Sequence, residues 1–299
     1  MPLLALLTLT FAALLAGAVV GVLLNRAAFE RRLDAQVAEL FAEIETLPTY
    51  YSDADVAELP EPARRFFGRN LHDGMPHQSC VRIWEAGKLR QTPGQPWSEF
   101  EAEQYMVSTP PGMLWYARMR PFPLVWVDLV NSYFRGRGRV QAKLLSSVSS
   151  VDAGDDATRR ATLLRYVSGL ALFPGAMLPA DDRGWTEHGE DSATFTLRDG
   201  ELEVTGVFFF DEFGDVVRFE TDERPYAGMK KAEQARWIVR YAEHRSFGSG
   251  GDLQLPTKID VEWELDGQRF HYVEKTIEKF DLDMPRRWNA VIPEGSEPT

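Results

Sequence analysis

The sequence holds little of what usually builds a catalytic or metal centre. Its one cysteine, Cys80, excludes an internal disulfide and a cysteine zinc cluster. The five histidines, His72, His77, His188, His244 and His271, form no His-x-x-x-His pair and enter no nucleophile motif. Ser146, Ser147, Ser149 and Ser150 lack the Gly-x-Ser-x-Gly elbow. Basic residues are outnumbered, 33 Lys and Arg against 45 Asp and Glu. A net charge of −12 argues against nucleic acid as a partner, because phosphate binding needs a concentrated basic surface. The residues predict no cofactor and no metal.

What the chain does hold begins at once. Residues 1–24, MPLLALLTLTFAALLAGAVVGVLL, carry no charged side chain. As a helix they reach about 36 Å, enough to cross a hydrocarbon core of ~30 Å. Ala16-Gly17-Ala18 resembles a small-x-small cleavage site, but no Lys or Arg precedes the run and it continues past Ala18. The pattern predicts a retained single-pass anchor over 1–24. Arg26, Arg31 and Arg32 follow it, and the positive-inside rule then favours a cytoplasmic domain. Over 25–50, Leu33, Val37, Leu40, Phe41, Ile44 and Leu47 recur at spacings of three and four, one face of an amphipathic juxtamembrane helix. Packing on its own domain is the simpler reading; a partner-binding coil is the other.

From residue 51 the chain reads as one domain, to about 284, with a flexible tail over 285–299. Its 8 Trp, 9 Tyr and 18 Phe fall mostly in short alternating runs, which favours strands. Asp199-Gly200 and Asp266-Gly267 are two-residue hairpin signals. Lys258-Ile259-Asp260-Val261-Glu262-Trp263-Glu264-Leu265 alternates completely, so one face is wet and the other covered. Gly136-Arg137-Gly138 lacks the third glycine and following helix of a phosphate loop and reads as a turn. One helix, near 155–172, is inserted between two strand-rich halves; Asp155-Asp156 opens it and Phe173-Pro174-Gly175 stops it. The fold class is α+β: a transmembrane helix, then one curved antiparallel sheet, half-barrel-like, with a few helices on its concave side.

Such a sheet has more apolar face than one or two helices can cover. Trp97, Phe100, Trp115, Trp126, Phe208, Trp237, Trp263 and Phe270 are therefore candidates either for a packed core or for the lining of an apolar ligand cavity. Asp260, Glu262 and Glu264 with His271 allow a metal or acid/base reading, which the wet face of an amphipathic strand explains more simply.

Several segments also carry a resemblance. Trp97-x-x-Phe100-x-Ala102-x-Gln104-Tyr105, Trp115-x-Ala117, Leu163-x-Arg165-Tyr166 and Phe173-Pro174 look like motifs of an uncharacterised bacterial family with an N-terminal membrane segment. Trp185-x-Glu187, Phe208-x-Phe210-Asp211-x-x-Gly214 and Asp222-x-Arg224-Pro225 continue it in order. Gly169 and Leu172 stand where that family carries a glutamate and a tryptophan. The family brings no assigned reaction. The expected sheet is also similar, at fold level, to periplasmic lipoprotein carriers, which hold acyl chains in an open half-barrel and act outside the cytoplasm. The side of the membrane therefore stays open. The leading expectation is non-enzymatic binding of a lipid or other apolar molecule; an interaction scaffold without ligand and an enzyme with an unfamiliar site are the alternatives.

Overall fold

The computed structural model describes residues 2–42, 44, 50–226, 235–248 and 253–288. Helix α1 runs over Pro2–Ala42. Two patterns meet in it with no break between residues 24 and 25. Residues 3–20 expose their side chains on all sides, while Phe29, Leu33, Val37, Leu40 and Phe41 are buried. Leu47, placed in the amphipathic stretch by its spacing, lies outside the described residues.

Helix α2 (Glu61–Asn70) starts with Pro62 in its first turn, where a missing N–H costs nothing. Six strands follow: β1 (Cys80–Leu89), β2 (Ser98–Val107), β3 (Gly112–Phe122), β4 (Val125–Phe134), β5 (Arg137–Leu144) and β6 (Val148–Ala153). Helix α3 (Asp156–Gly169) is capped by Asp155, whose carboxylate accepts from the Thr158 N–H at 2.8 Å. Two 3-10 turns, Leu170–Leu172 and Pro174–Met177, carry the chain on. Seven more strands complete it: β7 (Arg183–Gly189), β8 (Ser192–Asp199), β9 (Leu202–Phe210), β10 (Val216–Thr221), β11 (Arg236–Phe247), β12 (Leu253–Leu265) and β13 (Gln268–Leu282). Asp266 and Gly267, at φ 50° and 74°, join β12 to β13 in the primed turn that suits strand twist.

All of these strands form one antiparallel sheet of 13, ordered β6-β5-β4-β3-β2-β1-β13-β12-β11-β10-β9-β8-β7. Each half is a meander, and β1 against β13 joins the halves, Val81 opposite Leu282. Helix α3 packs on β4 and β5 from one half and on β9 from the other. The sheet therefore curls around the helix without closing, because its edges β6 and β7 stay unpaired with each other.

The large core lies on this inner face, where Leu163, Tyr166 and Val167 of α3 and Phe66 and Phe67 of α2 meet Phe195, Phe208 and Phe219. One helix departs from the expected concave packing. The second half of α1 covers the outer face, because Tyr105, Val107, Leu114, Tyr116 and Val130 make that face apolar in β2–β4. The expected flexible tail is also corrected over its first residues. Arg287 pairs with Glu30 (2.9 Å), Asp34 (2.7 Å) and Glu103 (2.9 Å), and the Trp288 N–H donates to the Tyr105 hydroxyl at 3.1 Å. Residues 289–299 lie outside the described ones.

Candidate functional site

The apolar half of α1 leaves the sheet at one particular edge of strand ends. Asn25 Nδ2 donates to Ser147 Oγ at 3.1 Å, in the β5–β6 turn, and the Arg26 guanidinium lies 5.6 Å over the Trp126 ring. Farther along α1, Phe29 touches Tyr116 and Phe41 touches Tyr105. The helix therefore descends along β3 and β2 from residue 25, and residues 3–20 project past the β3–β4 turn. Phe122 and Leu124 in and beside that turn are 68% and 93% exposed. Val148, which opens β6 after the β5–β6 turn, is 62% exposed. Leu124 also holds φ at 64°, a conformation that costs a branched residue and leaves its side chain presented to the outside.

The inner face carries a separate apolar cluster at the same strand ends. Phe100, Ala102, Trp115, Ala117 and Met119 are buried together, with Leu89, Val127, Leu129 and Val273 packed beside them. Register explains the grouping: Phe100 faces Met119, Ala102 faces Ala117, and Met119 faces Val127. Small side chains at Ala102 and Ala117 keep the middle of the patch shallow, and larger ones ring it.

Charged groups border this cluster. Glu85 is fully buried; it accepts from the Trp115 indole N–H and pairs with Lys275 Nζ at 2.7 Å. Arg165 reaches in from α3, its guanidinium 4.2 Å over the Trp115 ring. Arg224 lies 3.9 Å over the Trp237 ring, and the Trp237 N–H donates to the Tyr272 hydroxyl at 2.9 Å. Burial pulls the Lys275 ammonium and the Arg165 guanidinium below their usual values, against the pull of Glu85 on each. It brings Arg224 down to about 10, so the group stays charged at neutral pH.

The aromatic candidates divide between the two faces. Phe100 and Trp115 belong to the separate cluster, and Phe208 to the helix-packed core beside Trp185 and Phe219. Trp237, Trp263 and Phe270 sit opposite one another on β11, β12 and β13 on the inner face. Trp97 and Trp126 do not join them. Trp97 packs on His271 and under Arg90, and Trp126 bonds Asp128 and Ser146 beneath α1, both on the outer side of the sheet. Sequence reasoning missed Glu85, Lys275, Arg165 and Arg224 as site residues. The available signal was parity: Glu85 and Lys275 occupy inward positions of their strands, where a charge is unexpected.

Two further features involve charges of the outer face. Asp260, His271 and Glu274 bring one potential ligand atom each within 4.8 Å of one another, half-exposed. Glu262 and Glu264 do not join them: Glu262 pairs with Arg240, and Glu264 stands opposite Arg236 and Arg269. A groove of about 490 Å³ beside them is lined by charges of both signs, among them Lys88, Glu101, Arg120, Lys258 and Glu274, and it reaches Phe100 and Lys275 of the inner face. It is no apolar cavity.

Comparison with known proteins gives a family and a distant fold likeness. No curated protein matches the chain. A domain from Vibrio parahaemolyticus, provisionally named as outer membrane lipoprotein-sorting, is similar at TM-score 0.41 and 8% identity, over 75% of this chain and 92% of that one. A DUF1329 family protein from Desulfovibrio piger is similar at TM-score 0.41 and 10% identity, over 79% and 95%. The profile of a family of unknown function, DUF6544, matches residues 49–275. That span holds all but the last strand end of the sheet, together with the apolar cluster and its charges, and the chain belongs to that family.

Proposed function

We propose that this chain is a membrane-tethered, non-catalytic binding domain that takes up a lipid or other apolar molecule on the inner face of its sheet. One observation carries the reading: the apolar cluster Phe100, Trp115 and Met119 lies at the strand ends from which the apolar half of α1 departs. If residues 1–24 cross the bilayer, those ends face the lipid surface, and Phe122 and Leu124 dip into its interface. A molecule leaving the bilayer there would meet apolar side chains without crossing water.

The test is native mass spectrometry of the full chain, extracted in a mild detergent, with the lipid then identified after organic extraction. A bound lipid in about one-to-one ratio is expected. Lipid-free protein from several detergents, all leaving the fold intact, would count against the reading.

A second reading has one observation in its favour. Edge strand β6 shows Val148 and Val151 to solvent, an unpaired edge of the kind that recruits another strand. Crosslinking from Val151 in membranes should then recover one defined protein, and recovering none would remove it.

A further inference from the structure

Among the described residues, the charges of the inner face do not balance. Glu85 neutralises Lys275, with which it pairs at 2.7 Å. Arg165 and Arg224 add two more cations to the same interior, each within electrostatic reach of the Tyr272 phenol and of the other. Nε and Nη1 of Arg224 are buried with no hydrogen-bond partner among the described residues. Among the described residues, the Arg165 guanidinium is engaged by the Trp115 ring face and by no hydrogen bond or ion pair.

Such an arrangement is costly while empty. A guanidinium keeps its proton at neutral pH, and buried donors left unpaired lose their hydration without return. The rings of Trp115 and Trp237 offset part of that loss by stacking on the guanidinium faces. Stacking leaves the in-plane N–H donors of each arginine for an acceptor, and the planar fork matches a carboxylate or a phosphate. A neutral acceptor would leave the excess positive charge in place; an anion removes it.

We propose that Arg165, Arg224 and Lys275 hold an anionic group, a carboxylate or a phosphate, at the border of the apolar cluster. The inference deepens the apolar-ligand reading and rests on it for the rest of the ligand, which becomes an anionic amphiphile. Glu85 then acts as the limiting counter-charge, keeping Lys275 oriented and setting how much negative charge the site accepts.

The test compares oleate, oleyl alcohol and inorganic phosphate as probes of the full chain in a neutral detergent, read by native mass spectrometry. Oleate should bind at least about tenfold more tightly than oleyl alcohol, the worth of a charge-assisted pair. Arg224→Gln should abolish that preference while leaving thermal unfolding of the empty protein unchanged or raised, since the arginine donors it removes had no partner. Glu85→Gln supplies the opposite sign and should tighten oleate. Equal binding of oleate and the alcohol would overturn the anion site and leave the apolar reading standing. Phosphate binding that Arg224→Gln abolishes, with neither amphiphile bound, would support the anion site, assign it to free phosphate and overturn the lipid reading. Absence of binding by all three probes would overturn both.

Discussion

Asp128 shows how single residues fix α1 to the sheet. Its buried carboxylate accepts from Tyr116 (2.8 Å), Arg118 (2.8 Å), Trp126 (3.1 Å) and Ser146 (2.5 Å). Arg118 continues the chain of bonds to Glu30 of α1 at 3.0 Å. Asp128→Ala takes the shared acceptor from all four, leaving Arg118 only Glu30 and Trp126 only Ser146, and should cost about 3 kcal/mol, measured by chemical unfolding. His244 gives a pH dependence. Burial lowers its pKa, against the pull of Asp215 and Asp211. The unfolded chain therefore takes up the proton first as pH falls below about 6.5, and stability is lost through that window. Between about pH 7.5 and about pH 5.5 the wild type should lose more Tm than His244→Gln, and equal losses would contradict the assignment. At this scale the aromatic half of the candidate site was legible, because strand parity places Phe100 and Trp115 on a covered face. The charged half was not. Parity marks Glu85 and Lys275 as inward, but nothing local names their partners, and only the long-range pairing of β1 with β13 brings them together.

Two elements bear on the proposed tether. The first is the three-carboxylate clasp on Arg287, which binds the chain after β13 to Glu30 and Asp34 of α1 and to Glu103 of β2. Arg287→Ala leaves the buried Glu103 uncompensated and should cost roughly 3 kcal/mol, with α1 becoming open to proteolysis between residues 26 and 42 first. The second is the β3–β4 turn. Phe122→Asp with Leu124→Asp should change stability by no more than about 0.5 kcal/mol, since both side chains are exposed, yet slow lipid uptake from vesicles several-fold. Uptake at the wild-type rate would place the turn away from the bilayer. Elements with strong alternation, such as β12, were legible in sequence, and so was α3 from its Asp155 cap and the Phe173-Pro174 stop. Strand β6 was not, because Val148-Ser149-Ser150-Val151-Asp152 buries neither face and so carries no alternation. The clasp was invisible too, as its partners lie 184 to 257 residues apart.

For the whole molecule, the antiparallel meander on either side of one helix follows from turn chemistry and period. The closing contact does not, since β1 and β13 lie at opposite ends of the domain and nothing local announces their pairing. That contact creates the inner face, brings β13 with Lys275 and Val273 beside Phe100, and leaves α1 the outer surface of β2–β4. The central claim is that an apolar molecule occupies the inner face at the bilayer-facing strand ends. Photocrosslinking of membranes with a diazirine fatty acid, followed by peptide mapping on the full chain, tests it directly. Labelling of β2 and β3 at Phe100, Trp115 and Met119 is expected in addition to any labelling of α1. Labels confined to residues 2–24 of α1 would contradict it.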